Sequence, residues 1–495
     1  MMKRRSVSVP GVEGKEPPAD RALLKLSGAG EENGNATRKE DAGPSSLWSG
    51  HVMSPGVFQV GNVVILDPNE VLHDPLLSTL HQWNFDIFKL SKQRPLTILS
   101  SMFYRILADT GLLTSFRLPQ KELVLYLHAL ESGYRLVPYH NRMHAADVLH
   151  GVFFFCTQPV AGLEYQPRSP EQRSTAQLDI IRSFYRNLPK YFAGQGLREP
   201  PRAEDTAAAE HGVDVEADDT LAKLASPPYG SVAANLTRIE LFAVLLAAAM
   251  HDFDHPGRNN RFLVDTQAPL ALLYNDRSVL EQHHASASWS LLVKHPELNF
   301  LKYMDPGEFS KLRRLTIECI LATDLERHVA ILSDFKAKTE RDVDWSQDSV
   351  REAVLLVAIK LADVSGPCKR FDLYERWIDL LSQEFFKQGD EERAIGLAMS
   401  PFMDRHQPQT AVQQESFIRN IVAPLAKSYA AAGLMPSYWL PTPRSIRKVD
   451  HTTQLFRSGL SSSENGDVNN NEQKVHCLLL KQLQVSASVS LNLIV

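Results

Sequence analysis

Histidines and carboxylates recur in separated stretches of this chain at spacings that could build a metal site. The sequence YHNRMHAADVLH places His140 and His144 four residues apart, which predicts that both side chains share one face of a helix. About a hundred residues later, HDFDHPG supplies His251, Asp252 and His255 where an apolar helix is expected to end. Imidazole and carboxylate groups are common ligands of divalent metals, so these two stretches are the first candidates for chemistry.

A third stretch contributes one carboxylate, Asp363. It follows VLLVAIKLA and continues the face of Leu355 and Ile359 at four-residue spacing, so its side chain is expected to point where apolar residues point. A carboxylate in such a place is costly unless it is paired or bound to a cation. A buried ion pair with Lys369 or Arg370 is the alternative to metal ligation.

Each of these features is weak evidence on its own. Two histidines four residues apart are more often surface or core residues than ligands, and a lone His-Asp dipeptide is weaker still. Together, however, His144, His251, Asp252 and Asp363 offer the mixed nitrogen and oxygen donors that suit zinc. The second oxygen of Asp252 could bridge to a harder cation, Mg²⁺ or Mn²⁺, completed by water. The joint pattern favours a metal site.

Helical patterns dominate the part of the chain that would position these residues. An alternating strand pattern is found at Gly56–Leu66, and it is the best candidate of its kind. The sequence therefore predicts an all-α fold. The segments with apolar residues at three- and four-residue spacing include Pro95–Asp109, Pro119–Ser132, Arg238–Met250, Pro306–Thr323, Ser349–Asp363, Leu373–Gln388 and Gln413–Ala432.

Composition shifts divide the chain into a helical domain and two tails. Residues 1–55 are rich in Gly, Pro, Ser and charged residues, which predicts a disordered N-terminal tail. The helical domain is predicted at 56–445, with an acidic, proline-broken insertion at 159–234. Residues 446–495 form a C-terminal tail that ends in the apolar stretch VHCLLLKQLQV, which could be a docking helix or a strand.

Charge and cysteine usage exclude several classes of protein. The chain has 53 Lys and Arg against 58 Asp and Glu, a net charge of −5, which argues against nucleic-acid binding as its main function. Its four cysteines lie far apart, as expected in a reducing compartment and not in a disulfide framework or a thiolate zinc site.

The expected location is the cytosol. The N-terminus lacks the apolar stretch of a signal peptide, and the longest apolar run, Leu241–Met250, is far short of the roughly 20 residues that span a bilayer. Peripheral membrane association and a homodimer stay open. The N-terminal KRRSVS places basic residues before Ser6 and Ser8, which is typical of a kinase phosphorylation site but also of a solvated charge cluster.

Seven blocks occur in order along about residues 70–445: YHNRMHAADVLH, HDFDHPGRNNRFL, LYNDRSVLEQHHASASW, LATDLERH, ADVSGPCKRFDLYERW, FFKQGDEER and QQESFI. Together they resemble the catalytic domain of the class I cyclic nucleotide phosphodiesterases. The TQPVAGL entry to the insertion, NDRSVLE and QESFI are most similar to the type-three, cGMP-inhibited branch, which carries an insertion just after its first histidine block. The chain departs from that branch in its insertion sequence and in showing no N-terminal membrane-embedded segment.

The resemblance implies a role for each metal-site candidate. His144, His251, Asp252 and Asp363 match the ligands of the family's first metal, usually zinc. Asp252 also matches the carboxylate that bridges to the second metal, usually magnesium, and His255 matches a residue that contacts the waters of that metal. Two divalent ions, Zn²⁺ and Mg²⁺ or Mn²⁺, are therefore the expected cofactors.

The same resemblance implies the acid and the base-binding residues. His140 matches the general acid, and Glu281 is expected to be the carboxylate that pairs with it. Leu381 stands where isoleucine is common and keeps its volume. The residues expected around the purine are the pocket-wall Tyr139, the clamp pair Leu381 and Phe417, and the purine-binding Gln414.

The expected activity is hydrolysis of cAMP, and of cGMP more slowly, to nucleoside 5′-monophosphates by a two-metal mechanism. Another metal-dependent nucleotide phosphohydrolase with a His-Asp dyad, such as a nucleotidase, is one alternative; the QQESFI block argues against it because that block serves a purine. The other alternative is an inactive binder that keeps the fold. The presence of every ligand position and of His140 argues against that interpretation.

Overall fold

The computed structural model describes residues 57–60, 63–166, 229–439 and 475–492, and this part of the chain is all-α, as predicted. The predicted N-terminal tail, the middle of the predicted insertion and the linker before the C-terminal helix lie outside these ranges. Among the described helices, none combines the length and the apolar character needed to cross a membrane.

The helices are numbered in chain order, and short 3₁₀ turns lie between them at Leu77–Thr79, Pro296–Leu298, Leu325–Arg327 and Gly366–Cys368. A π-helical segment, Ile418–Val422, joins the two helices that flank it. The helices are α1 Pro68–His73, α2 Ile87–Gln93, α3 Ile98–Asp109, α4 Leu112–Ser115, α5 Gln120–Gly133, α6 Arg142–Thr157, α7 Val232–Asn235, α8 Arg238–Met250, α9 Asn260–Asp265, α10 Pro269–Leu273, α11 Val279–Lys294, α12 Pro306–Leu321, α13 His328–Lys338, α14 Asp348–Asp363, α15 Phe371–Ala394, α16 Thr410–Phe417, α17 Ala423–Ala431 and α18 Leu478–Asn492.

The strands within the described ranges are short and form two-stranded antiparallel pairs. The predicted strand at Gly56–Leu66 is a hairpin of two strands, with Phe58 opposite Leu66 and Val60 opposite Val63. The strands are β1 Phe58–Val60, β2 Val63–Leu66, β3 Val160–Ala161, β4 Tyr229–Gly230, β5 Tyr438–Trp439 and β6 Val475–His476.

The core is centred on α8, which is buried along almost its whole length. It packs against α6, α12 and α14. A capping box starts the helix, because the Thr237 hydroxyl accepts from the Glu240 amide and the Glu240 carboxylate accepts from the Thr237 amide. The helix is followed at once by His251, so its fixed position in the core also fixes the start of the HDFDHPG segment.

A close contact between α6 and α14 brings together two helices that carry candidate metal ligands. A Cβ atom on Gly151 would lie 3.0 Å from the Cβ of Ala362, so glycine allows α6 to approach α14 this closely. Ala362 immediately precedes Asp363, the last residue of α14. The close packing of the two helices places the side chain of Asp363, at the end of α14, beside His144 in the first turn of α6.

The start of α6 corrects one sequence prediction. Asn141 caps the helix, because its side-chain oxygen accepts from the Met143 amide and its NH₂ donates to the Val137 carbonyl over 2.9 Å. The helix therefore begins at Arg142, and His140 precedes it. His140 and His144 do not share a helix face, which leaves the two imidazoles free to serve different partners.

The two ends of the predicted insertion meet in a narrow neck made by β3 and β4. Val160 pairs with Gly230 and Ala161 with Tyr229. A Cβ on Gly230 would lie 2.3 Å from the Leu163 carbonyl oxygen, so this pairing requires glycine at 230. Asn235 extends the neck, since its amide donates to the Glu164 carbonyl over 3.1 Å. The neck fixes both ends of residues 167–228 on one side of the domain.

Candidate active site

Four ligand-type side chains converge where α6, α8 and α14 meet. Nε2 of His144 lies 3.1 Å from Oδ1 of Asp363 and 3.5 Å from Oδ2 of Asp252. Nε2 of His251 lies 3.2 Å from Oδ2 of Asp252 and 3.5 Å from Oδ1 of Asp363. The four residues predicted to hold the first metal are therefore adjacent, although Asp363 is more than 200 residues from His144 in sequence.

The hydrogen bonding of His251 tests whether this quartet suits a cation. Its Nδ1 atom donates to the Ala248 carbonyl over 2.9 Å, which directs the Nε2 lone pair at the carboxylates of Asp252 and Asp363. This Nε2 atom is buried and makes no hydrogen bond. A lone pair facing carboxylate oxygens is repulsive unless a proton or a cation lies between them. The donor set therefore fits a zinc-like ion.

The electrostatics of the quartet agree with that fit. Burial alone would lower the pKa of His251, but the Asp252 and Asp363 carboxylates raise it well above its usual value. Burial would raise the pKa of Asp363, yet the neighbouring imidazoles of His144 and His251 lower it. The carboxylates remain ionised and attract positive charge, which is the state that metal ligation requires.

A second group of ligand atoms lies on the other side of Asp252 and includes His255 and His284. Nδ1 of His284 donates to the Phe253 carbonyl over 2.7 Å, and its buried Nε2 atom, 3.7 Å from Oδ1 of Asp252, makes no hydrogen bond. Burial lowers the pKa of His284 to about 4, so that nitrogen carries a lone pair at neutral pH. Each oxygen of Asp252 thus faces an imidazole nitrogen that makes no hydrogen bond and could bind a metal.

His255 is oriented differently from the other histidines. Its Nδ1 atom accepts from the Gly257 amide over 2.9 Å. Burial and the charge of His140 lower its pKa well below the usual value, so the ring is neutral and carries its proton on Nε2. An N–H group donates to water or to an anion and does not bind a metal. This geometry supports the predicted contact of His255 with metal-bound water.

The predicted pairing of His140 with Glu281 is wrong in this structure. The NH₂ group of Asn260 donates to both Glu281 oxygens, at 3.0 and 3.3 Å. Burial, then the charge of Asp324, raises the pKa of Glu281 to about 7. Glu281 lines the same cavity as His140, but its hydrogen-bond partner is Asn260, the first residue of α9. A buried carboxylate near other carboxylates is suited to facing positive charge.

Glu384 of α15 is the carboxylate that pairs with His140. Nδ1 of His140 donates to Oε1 of Glu384, and Oε2 accepts from the amides of Tyr139 and His140 at 2.9 and 3.2 Å. Burial would lower the pKa of His140, but Glu384 and then Asp252 raise it to about 9. Because Nδ1 faces Glu384, Nε2 is the nitrogen left to exchange a proton with a substrate.

One cavity of about 390 Å³ connects the metal-type residues with an apolar recess. Gln414 is buried there, and its Oε1 atom accepts from the Tyr374 hydroxyl over 2.7 Å. The structure thus brings every predicted base-pocket residue to one cavity. The lining includes Tyr139, Gly366, Tyr374, Leu381, Gln414 and Phe417.

The sequence reasoning missed Glu384 and Tyr374. Both lie on the buried face of α15 with Trp377 and Gln388. Glu384 follows Leu381 by three residues and precedes Gln388 by four, so a carboxylate lies on the buried face of the helix. The same argument that singled out Asp363 would have singled out Glu384.

The family model described as 3'5'-cyclic nucleotide phosphodiesterase matches residues 211–437. The cGMP-inhibited 3',5'-cyclic phosphodiesterase 3A of Rattus norvegicus is 45% identical over 372 residues, which are 74% of this chain and 30% of that protein. The probable 3',5'-cyclic phosphodiesterase pde-3 of Caenorhabditis elegans is 37% identical over 402 residues, 81% of this chain and 52% of that protein.

A more distant relative is the dual specificity calcium/calmodulin-dependent 3',5'-cyclic nucleotide phosphodiesterase 1C of Mus musculus. It is 30% identical over 399 residues, which are 79% of this chain and 46% of that protein. The chain thus spans about a third to a half of the length of these relatives. The identity over the shared region is higher for the cGMP-inhibited protein than for the calmodulin-dependent one. The chain belongs to the class I 3',5'-cyclic nucleotide phosphodiesterases and resembles their type-three, cGMP-inhibited branch.

Proposed function

We propose that this chain hydrolyses 3′,5′-cyclic nucleotides, cAMP and more slowly cGMP, to nucleoside 5′-monophosphates, and so ends cyclic nucleotide signals. The observation that carries the proposal is one cavity whose lining joins Asp252 and Asp363 of the metal-type quartet, the His140–Glu384 pair and an apolar recess. Each part alone fits several hydrolases. A cyclic phosphodiester attached to a flat base is the substrate that uses all three.

The proposed cofactors are Zn²⁺ at His144, His251, Asp252 and Asp363, and Mg²⁺ or Mn²⁺ at a second position that shares Asp252. His255 would contact the second ion through water. When bound, the two ions would supply charge neutralisation for the phosphate and acidify the attacking water. Two observations support this assignment. Nε2 of His251 makes no hydrogen bond, and each oxygen of Asp252 faces an imidazole nitrogen that lacks a hydrogen-bond partner.

The proposed acid is Nε2 of His140. The 3′-oxygen of the ribose is a poor leaving group unless it is protonated as the bond to phosphorus breaks. Glu384 keeps the imidazole protonated, because its carboxylate raises the pKa of His140 to about 9, and it fixes the ring through Nδ1. After the proton is transferred, the carboxylate still holds the neutral ring in the orientation that accepts a new one.

The proposed base site lies between the side chains of Leu381 and Phe417, which both line the cavity. Gln414 would read the base edge. The Tyr374 hydroxyl donates to Oε1 of Gln414, but a phenol can also accept, so the amide keeps a partner in either orientation. Adenine and guanine need opposite orientations, and a side chain with two supported orientations accepts both. We therefore propose that cGMP binds this site and competes with cAMP.

The test is an assay of the purified protein with cAMP, cGMP and ATP, read by product identity. The proposal expects 5′-AMP from cAMP, slower 5′-GMP from cGMP, no release of phosphate from ATP, and linear competitive inhibition of cAMP hydrolysis by cGMP. Phosphate release from ATP would instead favour a nucleotidase-like hydrolase. Binding of cAMP without turnover in metal-loaded protein would mean an inactive binder.

The remaining predictions concern the chain as a whole. A cytosolic location, peripheral membrane association, a homodimer and phosphorylation near Ser6 or Ser8 stay predictions; both serines lie outside the described residues. Cell fractionation, sedimentation and phosphate mapping are the measurements that address them.

A further inference from the structure

The C-terminal apolar stretch, whose structure the sequence left undecided, forms a strand followed by a helix. Strand β6 pairs with β5, with His476 opposite Tyr438. Helix α18 then packs against the 3₁₀ turn Gly366–Cys368 and against α16. Leu479 and Leu483, four residues apart, are 1% and 5% exposed and belong to the main core. The helix is therefore attached to the domain through one apolar face.

The two elements beneath α18 are walls of the cavity. Gly366 and Pro367 of the turn line the cavity, and so do Gln414 and Phe417 of α16. No residue of α18 is among the cavity lining. The turn and α16 thus form a layer between the proposed base site and the C-terminal helix.

These walls depend on packing with other elements. The turn is three residues long, and α16 begins without a side-chain cap and continues through the π-helical segment into α17. In proteins, most of the stability of a helix comes from tertiary packing and not from the helix alone. The position of Gln414 and Phe417 therefore depends on the elements that pack behind α16, and α18 is one of them.

A hydrogen bond extends this support to α15. The side-chain amide of Gln482 donates through Nε2 to Oδ1 of Asn84 over 3.2 Å. The same oxygen accepts from the backbone N–H of Arg370 over 2.9 Å. Arg370 is the residue just before α15, which carries Tyr374 and Leu381. Through Asn84, the C-terminal helix is tied to the third wall of the base site.

We infer that residues 475–492 are a positioning segment for the base-binding wall and that they set the affinity for the purine without contributing to the chemical step. The inference rests on the proposed function for the identity of the ligand. The four first-metal candidates, His140 and Glu384 lie in α6, α8, α14, α15 and the residues beside them. The main contacts of α18 are with the turn Gly366–Cys368, α16, the π-helical segment and α17, none of which carries one of these residues. Loss of the segment should therefore weaken ground-state and transition-state binding of the base about equally.

The experiment compares Leu479→Ala/Leu483→Ala with Val485→Ala in the full chain. Val485 lies on the same helix but is 49% exposed, so its truncation controls for a change of helix sequence. The double variant should raise KM for cAMP at least fivefold and change kcat less than twofold, with unchanged zinc content. The single variant Leu483→Met should have the KM of the parent protein, because methionine fills a volume similar to that of leucine. Val485→Ala should behave like the parent protein.

A substrate without a base separates this inference from its alternatives. Hydrolysis of bis(4-nitrophenyl) phosphate reports on the metal centre and should be unaffected in the double variant. An unchanged KM for cAMP would overturn the inference. Parallel loss of both activities together with zinc would also overturn it, because the segment would then support the whole domain.

A failure of the proposed function gives a distinguishable result. If the parent protein hydrolyses no cyclic nucleotide, cAMP binding measured by calorimetry replaces KM. The inference then expects a dissociation constant at least fivefold higher in the double variant, and an unchanged constant overturns it.

Discussion

Asp363 has a position that suits a bound cation. It ends a helix whose other buried positions are mostly apolar, and it faces two imidazole nitrogens at 3.1 and 3.5 Å. The predicted alternative, an ion pair with Lys369 or Arg370, is wrong, because Lys369 pairs with Asp147 and Arg370 with Asp372. The neighbours of Asp363 are histidines that also face Asp252.

Replacing Asp363 by alanine should remove most bound zinc and lower kcat for cAMP by roughly two orders of magnitude or more, because one of the four proposed protein ligands is lost. Metal analysis and steady-state kinetics on the same preparation measure both effects. Asp334→Ala is the control, since Asp334 makes only an exposed pair with Lys338. Full activity with a normal zinc content would remove Asp363 from the site.

Replacing His140 by asparagine should lower kcat by roughly 10²- to 10⁴-fold, because proton transfer to the leaving oxygen is lost. KM for cAMP and the zinc content should change little. A phosphodiester with an activated leaving group needs no proton and should escape part of the loss. Collapse of the metal content would instead identify His140 as a ligand.

Replacing Glu384 by glutamine should shift the alkaline limb of the kcat profile to lower pH. The carboxylate raises the pKa of His140, so its removal lowers that pKa, and the protonated acid is lost at a lower pH than in the parent protein. Glu375→Gln, on the exposed side of the same helix, should leave the profile unchanged. An unshifted limb in Glu384→Gln would show that the pair does not control the titration.

Helix α15 shows what a single element must satisfy at once. Its buried face carries Tyr374, Trp377, Glu384 and Gln388, which reach the cavity, while Gly389 packs against the segment that follows the helix. A Cβ on Gly389 would lie 1.9 Å from the Met403 carbonyl oxygen. The backbone of that segment therefore touches the helix directly, and no side chain fits between them.

Gly389→Ala should lower the free energy of unfolding by about 1–3 kcal/mol, since the backbone around Met403 must move to admit the methyl group. Denaturant unfolding of the two proteins measures the difference. Lys387→Ala on the exposed face of the same helix should change stability much less. If Gly389→Ala were as stable as the parent, the contact would be looser than 1.9 Å implies.

The sequence predicts elements better than it predicts pairs of residues. Seven helical segments followed from apolar periodicity, and the bounds of one of them, Arg238–Met250, are those of α8 in the structure. The partner of His140 could not follow from periodicity, because Glu384 is 244 residues away and only the fold joins them. The helix start at Arg142 was missed because Asn141 acts as a cap, which a histidine pattern does not reveal.

At the scale of the whole molecule, the quartet links distant parts of the chain. His144, His251 and Asp363 lie in or beside three helices that pack in the core, so a bound ion stabilises the folded state over the unfolded one. Removing zinc with a chelator should therefore lower the melting temperature. An ion present at 100 times its Kd contributes about 2.7 kcal/mol. Calorimetry should show this loss in the parent protein and little further loss in Asp363→Ala.

The neck formed by β3 and β4 has a consequence for how this chain can vary. Contacts of Gly230 and Asn235 with residues 160–164 join the chain before residue 167 to the chain after residue 228. Once the ends are clamped, doubling the length of a flexible connection costs only about 0.6 kcal/mol in closure entropy. Changes in the inserted residues then need not disturb the residues of the metal quartet. The neck lets this part of the protein diverge in length and sequence while the helices that carry His144 and His251 keep their positions.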